Sequence, residues 1–203
     1  VEPGLTVPNP AAAQALLLEA ETMNPGAWVA HSRNVARAAR FIAQRHPTLD
    51  PERAHTLGLL HDLGRRTGPN RDRHILDGYD HLMALGYPDA ARIALTHSFV
   101  NPQLSEREGV WDGTSDEWER LRGLLAGLTF AEEDRLFQLC DTLALPDGFC
   151  IVEERLIDVA LRHGVNDHSV SKWRAKLALK RHFDQVCGGN LYRLLPGLCE
   201  RLS

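Results

Sequence analysis

Leu57-Gly58-Leu59-Leu60-His61-Asp62-Leu63-Gly64 sets a histidine and an aspartate side by side at the end of an apolar run. Asp50-Pro51 opens that run with an N-cap before a proline at the first helical position, where its missing N–H costs nothing. The pattern predicts a helix over 52–63, stopped by Gly64. Neighbouring side chains on a helix point about 100° apart, so both reach one point only if that point lies at the helix edge. A glycine just beyond makes a distorted terminus easy. By itself the dipeptide is weak evidence, because His-Asp arises by chance in many chains.

The same punctuation continues outward. Asn9-Pro10 and Asn24-Pro25 introduce helices over 11–23 and 26–46, the second stopped by Pro47. Further helices are expected over 73–85, ended by Gly86, and over 88–98. Thr114 with Glu117 and Thr129 with Glu132 fit the capping box, opening helices over 115–127 and 130–145. Pro146-Asp147-Gly148 reads as a turn before helices over 149–163, 167–186 and 191–201. Residues 100–114 read as an irregular loop around Trp111. Strict two-residue alternation is scarce, so no sheet is expected. The reading is an all-α fold, a single domain over 1–203 with about nine helices, in which helices 149–203 pack on a core carried by about 27–145.

Composition bounds the function classes. Hydrophobic residues make up 43% and charged residues 25%, as in globular proteins, and the formal net charge is −4. That acidic balance argues against nucleic acid as the main partner. No apolar run approaches the ~18–20 residues that span a bilayer. Val1-Glu2-Pro3-Gly4 lacks the blocks of a signal peptide. The four cysteines, Cys140, Cys150, Cys187 and Cys199, form no CxxC pair, which suits free thiols in the cytoplasm.

Histidine is the unusual count, at ten. His31 shares a helix face with Trp28, Val35, Ala38, Ala39 and Ile42, an inward stripe on which a lone histidine is more often a hydrogen-bonded core residue than a ligand. His74 and His97 lie on two successive helices, and Asp141 sits one turn from Phe137, on a face with Ala144 and Leu145. A carboxylate among such neighbours needs a cation, a hydrogen bond or a metal. Together His31, His61, Asp62, His74, His97 and Asp141 form a nitrogen and oxygen donor set suited to Fe, Mn, Co or Zn.

The order His31, His61-Asp62, Asp141 resembles the motif of the HD superfamily of metal-dependent phosphohydrolases. His74 to Gly78, Gly78 to Gly86 and Gly86 to His97 are separated by 4, 8 and 11 positions. That spacing is similar to the two-histidine insertion of the dinuclear branch. The resemblance covers about 27–145, and 159–165 with Lys172-Trp173 resembles a bacterial subgroup of the family. It implies an HD-type helical bundle in which His31, His61, Asp62 and Asp141 hold one divalent metal. Asp62 would bridge to a second, completed by His74 and His97, with Fe or Mn favoured and Co, Zn, Ni or Mg possible. It also implies attack of a metal-activated hydroxide on a phosphomonoester or phosphoanhydride, a nucleotide or dinucleoside polyphosphate among the candidates. Leu63-Gly64-Arg65 stands where many members have Ile-Gly-Lys, which leaves the substrate class open. Arg65 or Arg66 is expected to bind substrate phosphate, because guanidinium forks match phosphate oxygens. The alternatives on the same ligand set are a mixed-valence di-iron oxygenase and a non-catalytic nucleotide sensor.

Several residues carry competing readings. His81 lies on the face of His74 but about 10 Å further along the axis, too far to share one metal with it easily. It is left to line the pocket or the surface. Asp77 and Asp80 read as solvated helix carboxylates before partners of a metal-bound histidine. Lys172, Lys176 and Lys180, with Arg174 and Arg181, read as a solvated basic face before a phosphate grip, with Trp173 and Leu177 inward. The loop 100–114 is a candidate cap over the site.

Overall fold

The computed structural model describes residues 6–101 and 111–201. The chain is helical: α1 (Pro10–Met23), α2 (Ala27–Ala43), α3 (Pro51–Leu60), α4 (His74–Ala84), α5 (Pro88–Thr96), α6 (Ser115–Ala126), α7 (Glu132–Leu143), α8 (Val152–His163), α9 (Ser169–Val186) and α10 (Leu198–Arg201). Ten helices among the described residues compare with the nine or so expected. Two-residue strands β1 (Ala144–Leu145) and β2 (Gly148–Phe149) pair antiparallel across the Pro146-Asp147 turn. This small ladder corrects the expectation of no sheet and ends α7 at Leu143. The segment 191–201 is a 3-10 turn, Leu191–Leu194, and the four-residue α10 rather than one helix.

Capping explains the starts. Asn9 and Asp50 accept from the backbone N–H of Ala12 and Arg53 at 2.8 and 2.7 Å. Thr114 and Glu117 form the reciprocal box at the head of α6. Thr129 does not cap α7: that helix starts after Ala131, whose N–H donates to the Asp134 carboxylate at 2.7 Å. Asp134 is wholly buried and also receives the Arg92 guanidinium and the Thr96 hydroxyl, so a short acidic side chain won over the hydroxyl.

α2 lies along α3, with α1 and α7 packed around them. A Cβ on Gly58 would fall 2.4 Å from the Ala36 Cα, so only glycine lets α2 and α3 approach this closely. The main core runs through Leu17, Val35, Ile42, Leu57, Leu60, Phe137 and Phe183. Trp173 and Leu177 lean on it, as expected. A second cluster, Ile75, Leu76, Leu95, Phe99, Leu121 and Leu125, fastens α6 to α4 and α5. Trp111 packs into that cluster beside Trp118; of the loop 100–114, residues 102–110 lie outside the described residues. α8 and α9 rest on α7 and on each other. Among the described residues no helix is long and apolar enough to cross a membrane.

Candidate functional site

α3 stops at Leu60. His61 keeps helical angles, whereas Asp62 turns to φ −105° and ψ 15° to begin a 3-10 turn, Leu63–Thr67. That break lets adjacent side chains face one point, as the sequence requires, but Gly64 serves by space and not by backbone freedom. Its φ is not positive, and a Cβ there would lie 1.9 Å from the His74 carbonyl oxygen and 2.4 Å from the Gly78 nitrogen. Gly64 and Gly78 therefore press the His61-Asp62 corner onto the first turn of α4 and bring His74 alongside Asp62.

His31 from α2, His61 and Asp62 from the corner, His74 from α4, His97 at the end of α5 and Asp141 from α7 converge. His31 Nε2 lies 2.9 Å from Asp141 Oδ1, and His61 Nε2 lies 3.7 Å from the same oxygen. Asp62 Oδ1 is 3.1 Å from His74 Nε2 and 3.6 Å from His97 Nε2. The ring centroids of His31, His61, His97 and His74 follow one another at 5.4, 5.0 and 5.6 Å. Every one of these side chains is buried except Asp141, which opens to a cleft.

The second ring nitrogens are fixed by backbone. His61 Nδ1 donates to the Gly58 carbonyl at 2.8 Å and His97 Nδ1 to the Ala94 carbonyl at 2.9 Å. His74 Nδ1 donates to the Arg71 carbonyl. This pairing selects the tautomer whose Nε2 lone pair faces the centre, the arrangement a metal-binding imidazole needs. The charges agree. Burial pushes Asp62 up, but the Arg65 guanidinium and the His74 and His61 rings outweigh it and hold the carboxyl well below its usual range. Asp141 is held well below its usual range in the same way, burial being outweighed by His31, His61 and Lys176. Burial lowers His97, while His61 is raised because Asp62 and Asp141 outweigh its burial.

Among the described residues, two groups have donor atoms close enough to hold a metal ion: His31, His61 and Asp62, and Asp62, His74 and His97. Asp62 belongs to both, and Asp141 adjoins the first. The residues fit a metal. His61 Nε2 and Asp62 Oδ1 are buried and make no hydrogen bond, and two such orphaned donors aimed at one centre are costly without a cation.

Arg65 lies at the centre's edge. Its Nε donates to Asp62 Oδ2 at 2.7 Å, and the side chain lines the cleft. The structure does not bring Arg66 there: it reaches Glu19 at 2.6 Å and His81 at 3.3 Å, on the side of α1. His81 is thereby accounted for as its neighbour. Asp77 accepts from Thr67 and Asn70 and ties down the 68–73 loop, and Asp80 pairs with Arg120 of α6. Asp112 accepts from the Arg71 and Arg73 N–H groups at 2.6 and 2.8 Å, bracing the approach to His74.

The basic row of α9 corrects the solvated-face reading. Lys172 is only 5% exposed, and Lys176 donates to Thr142 Oγ1 at 2.6 Å, beside Asp141. Both line the cleft. Lys180 pairs with Asp184, and Arg174 and Arg181 are exposed. Arg155 and Arg162 of α8 also line the cleft and escaped sequence reasoning. Their seven-residue spacing, with Asp158 between them, was the available signal.

The chain matches no curated protein and no solved structure. A family model, HD domain, matches residues 28–145, more than half of the chain, and that segment contains every converging histidine and aspartate of the centre. With the His-Asp corner between α3 and α4 as its structural signature, the chain belongs to the HD domain family, whose members are largely metal-dependent hydrolases.

Proposed function

We propose that this chain is a dinuclear-metal phosphohydrolase acting on a small phosphomonoester or phosphoanhydride, with a nucleotide or dinucleoside polyphosphate as its substrate. The observation that carries the reading is the shared Asp62: one carboxylate common to two three-residue donor groups, with an orphaned oxygen of its own. His31, His61 and Asp141 with Asp62 would hold one ion, and His74 and His97 with Asp62 the other. When bound, two divalent ions supply charge for the transferring oxygens and lower the pKa of water.

This chain's residues do the rest. His61, His74 and His97, each tethered by Nδ1 to a backbone carbonyl, keep the donors in place before substrate arrives. Arg65 steadies Asp62 through Nε and lines the cleft, where its Nη1 and Nη2, in long 3.4 Å contacts to the Asn70 carbonyl and His74 Nε2, would turn to a phosphoryl oxygen. In the reaction, water oxygen forms a new bond to phosphorus. The bond to the leaving oxygen breaks, and that oxygen departs with the electron pair and takes up a proton.

A nitrogen and oxygen donor set without thiolate suits Fe, Mn, Co or Zn, and of these Fe or Mn is proposed. All four cysteines are free thiols, Cys140 and Cys150 buried, which fits a reducing compartment such as the cytoplasm. The test is phosphate release from a panel of nucleoside monophosphates, diphosphates and dinucleoside polyphosphates by manganese- or iron-loaded protein. Release abolished by Asp62→Ala is expected. Protein with bound metal that releases no phosphate from any panel member contradicts the reading. Oxygen consumption would then redirect it to an oxygenase, and tight nucleotide binding without turnover to a sensor.

A further inference from the structure

Two adjoining pockets, of about 480 and 670 Å³, share Arg65, Ser98, Asp141, Arg155 and Arg162. The first sits over the His/Asp centre, against His31, Asp62 and His97. The second leaves the centre at Asp141 and runs along α8 and α9. Its lining holds six basic side chains, Arg65, Arg71, Arg155, Arg162, Lys172 and Lys176, against two carboxylates, Asp72 and Asp141. Arg65 is held by Asp62 and Asp158 stands between Arg155 and Arg162, so the wall keeps a cationic excess and not a full charge at every site.

The way these cations are held argues for a ligand. Arg155 and Arg162 both donate to one carboxylate, Asp158, at 2.9 and 2.6 Å. Two guanidiniums on one counter-ion keep a net positive charge and free N–H edges. Their backbones lie two turns apart on one helix, but both guanidiniums converge on Asp158, so they form one paired anion grip beyond Arg65, which stands at the centre. Lys172 is almost wholly buried and lines the wall, and Lys176 stands a turn away beside Asp141. None of α8 or α9 falls within residues 28–145, so the wall lies outside the family-matching segment.

We propose that the α8–α9 wall is a second phosphate subsite, and that the substrate carries at least two phosphoryl groups. One is presented to the His/Asp centre and the others lie along Arg155, Arg162, Lys172 and Lys176. The inference deepens the phosphohydrolase reading and rests on it for the reacting group. It selects an oligophosphate over a simple monoester. Arginine forks grip phosphate oxygens in pairs, and lysines supply point charge between them.

The test is calorimetric binding of inorganic tripolyphosphate, added as its magnesium complex, and of orthophosphate to the full metal-loaded chain. Wild-type protein is compared with Arg155→Ala, Arg162→Ala and Lys172→Met, with metal content measured after each titration. Expected is at least tenfold tighter binding of tripolyphosphate than of orthophosphate. Each wall variant should lose about tenfold for tripolyphosphate and less than about twofold for orthophosphate, with metal content unchanged. Should burial of Lys172 make its variant misfold, the arginine variants, nearer solvent, carry the result. Equal affinities for the two anions, or wall variants that bind tripolyphosphate as wild type does, overturn the subsite. Retained tripolyphosphate preference without turnover of any nucleotide sinks the hydrolase reading instead, so the two failures are distinguishable.

Discussion

The cleft has two walls held by different means. On the wall built from α2, α3, α4, α5 and α7, short side chains are buried, and three of the four rings are locked through Nδ1 to backbone carbonyls. Nothing there adjusts without moving a helix. On the wall built from α8 and α9 the cations are long side chains held to differing degrees, Lys172 almost wholly buried and Arg162 about half exposed while sharing Asp158 with Arg155. The first arrangement suits a metal, which needs fixed donors at fixed distance. The second suits a flexible polyanion, whose phosphates are met by adjustable charge. On the proposed function, rigidity would sit where the chemistry occurs and adaptability where the remainder of the substrate would lie.

Disturbing the rigid wall carries the largest expected effects. His97→Ala removes one donor from the Asp62, His74, His97 group, and kcat for phosphate release should fall about a thousandfold, several kcal/mol of lost stabilisation. Arg162→Ala on the flexible wall should leave kcat within about twofold and raise KM for an oligophosphate; steady-state kinetics of both variants compares the walls directly. Should both variants lower kcat alike, the division of labour between the walls is wrong.

Packing of the rigid wall is tested by Gly64→Ala. The new Cβ would overlap the His74 carbonyl, and overpacking of this kind costs about 3 kcal/mol or more. Urea denaturation should report that loss, together with weaker metal retention because α4 is pushed away from the corner. An unaltered midpoint would mean the corner is looser than the Gly64–Gly78 approach implies.

Asp134→Ala comes next. It strips the buried partner from Arg92, Thr96 and the Ala131 N–H that starts α7, and should cost about 2–3 kcal/mol by the same denaturation measurement. Because Asp141 rides on α7, metal affinity should weaken modestly as well.

The smallest effect concerns Glu132, which accepts from His182 at 2.5 Å and His46 at 3.2 Å, far from the cleft. Burial pushes its carboxyl up, but the two imidazole partners outweigh this and hold it below the usual range. A depressed carboxylate gives stability that is present above the ordinary carboxylate pKa and is lost as pH falls through the lowered one. Glu132→Gln should therefore flatten the acid limb of a Tm-against-pH profile by under about 1 kcal/mol, without altering metal content.

Much of this was legible in the residues themselves. Asn9-Pro10 and Asp50-Pro51 announced α1 and α3 because a cap and a proline act locally. His31 and Asp141 stood out because each sits among apolar neighbours where a polar group needs a reason, whereas His74 and His97 came from a spacing that resembles the dinuclear branch. What escaped depended on tertiary placement. Thr129 lost its cap role to Asp134, whose carboxylate also had Arg92 and Thr96 to satisfy. Arg65 and Arg66 were equivalent as neighbours in the sequence, but the 3-10 turn sends one to Asp62 and the other to Glu19. Lys172 read as a solvated face because a periodic pattern does not say that a cleft passes beneath it.

The shared carboxylate is tested most directly by metal content of untagged protein, wild type beside Asp62→Ala, after reconstitution with manganese or iron. About two ions per wild-type chain, both lost when Asp62 is truncated, is the expected result. No ion bound by wild type, or two ions retained by Asp62→Ala, would contradict a centre organised around Asp62.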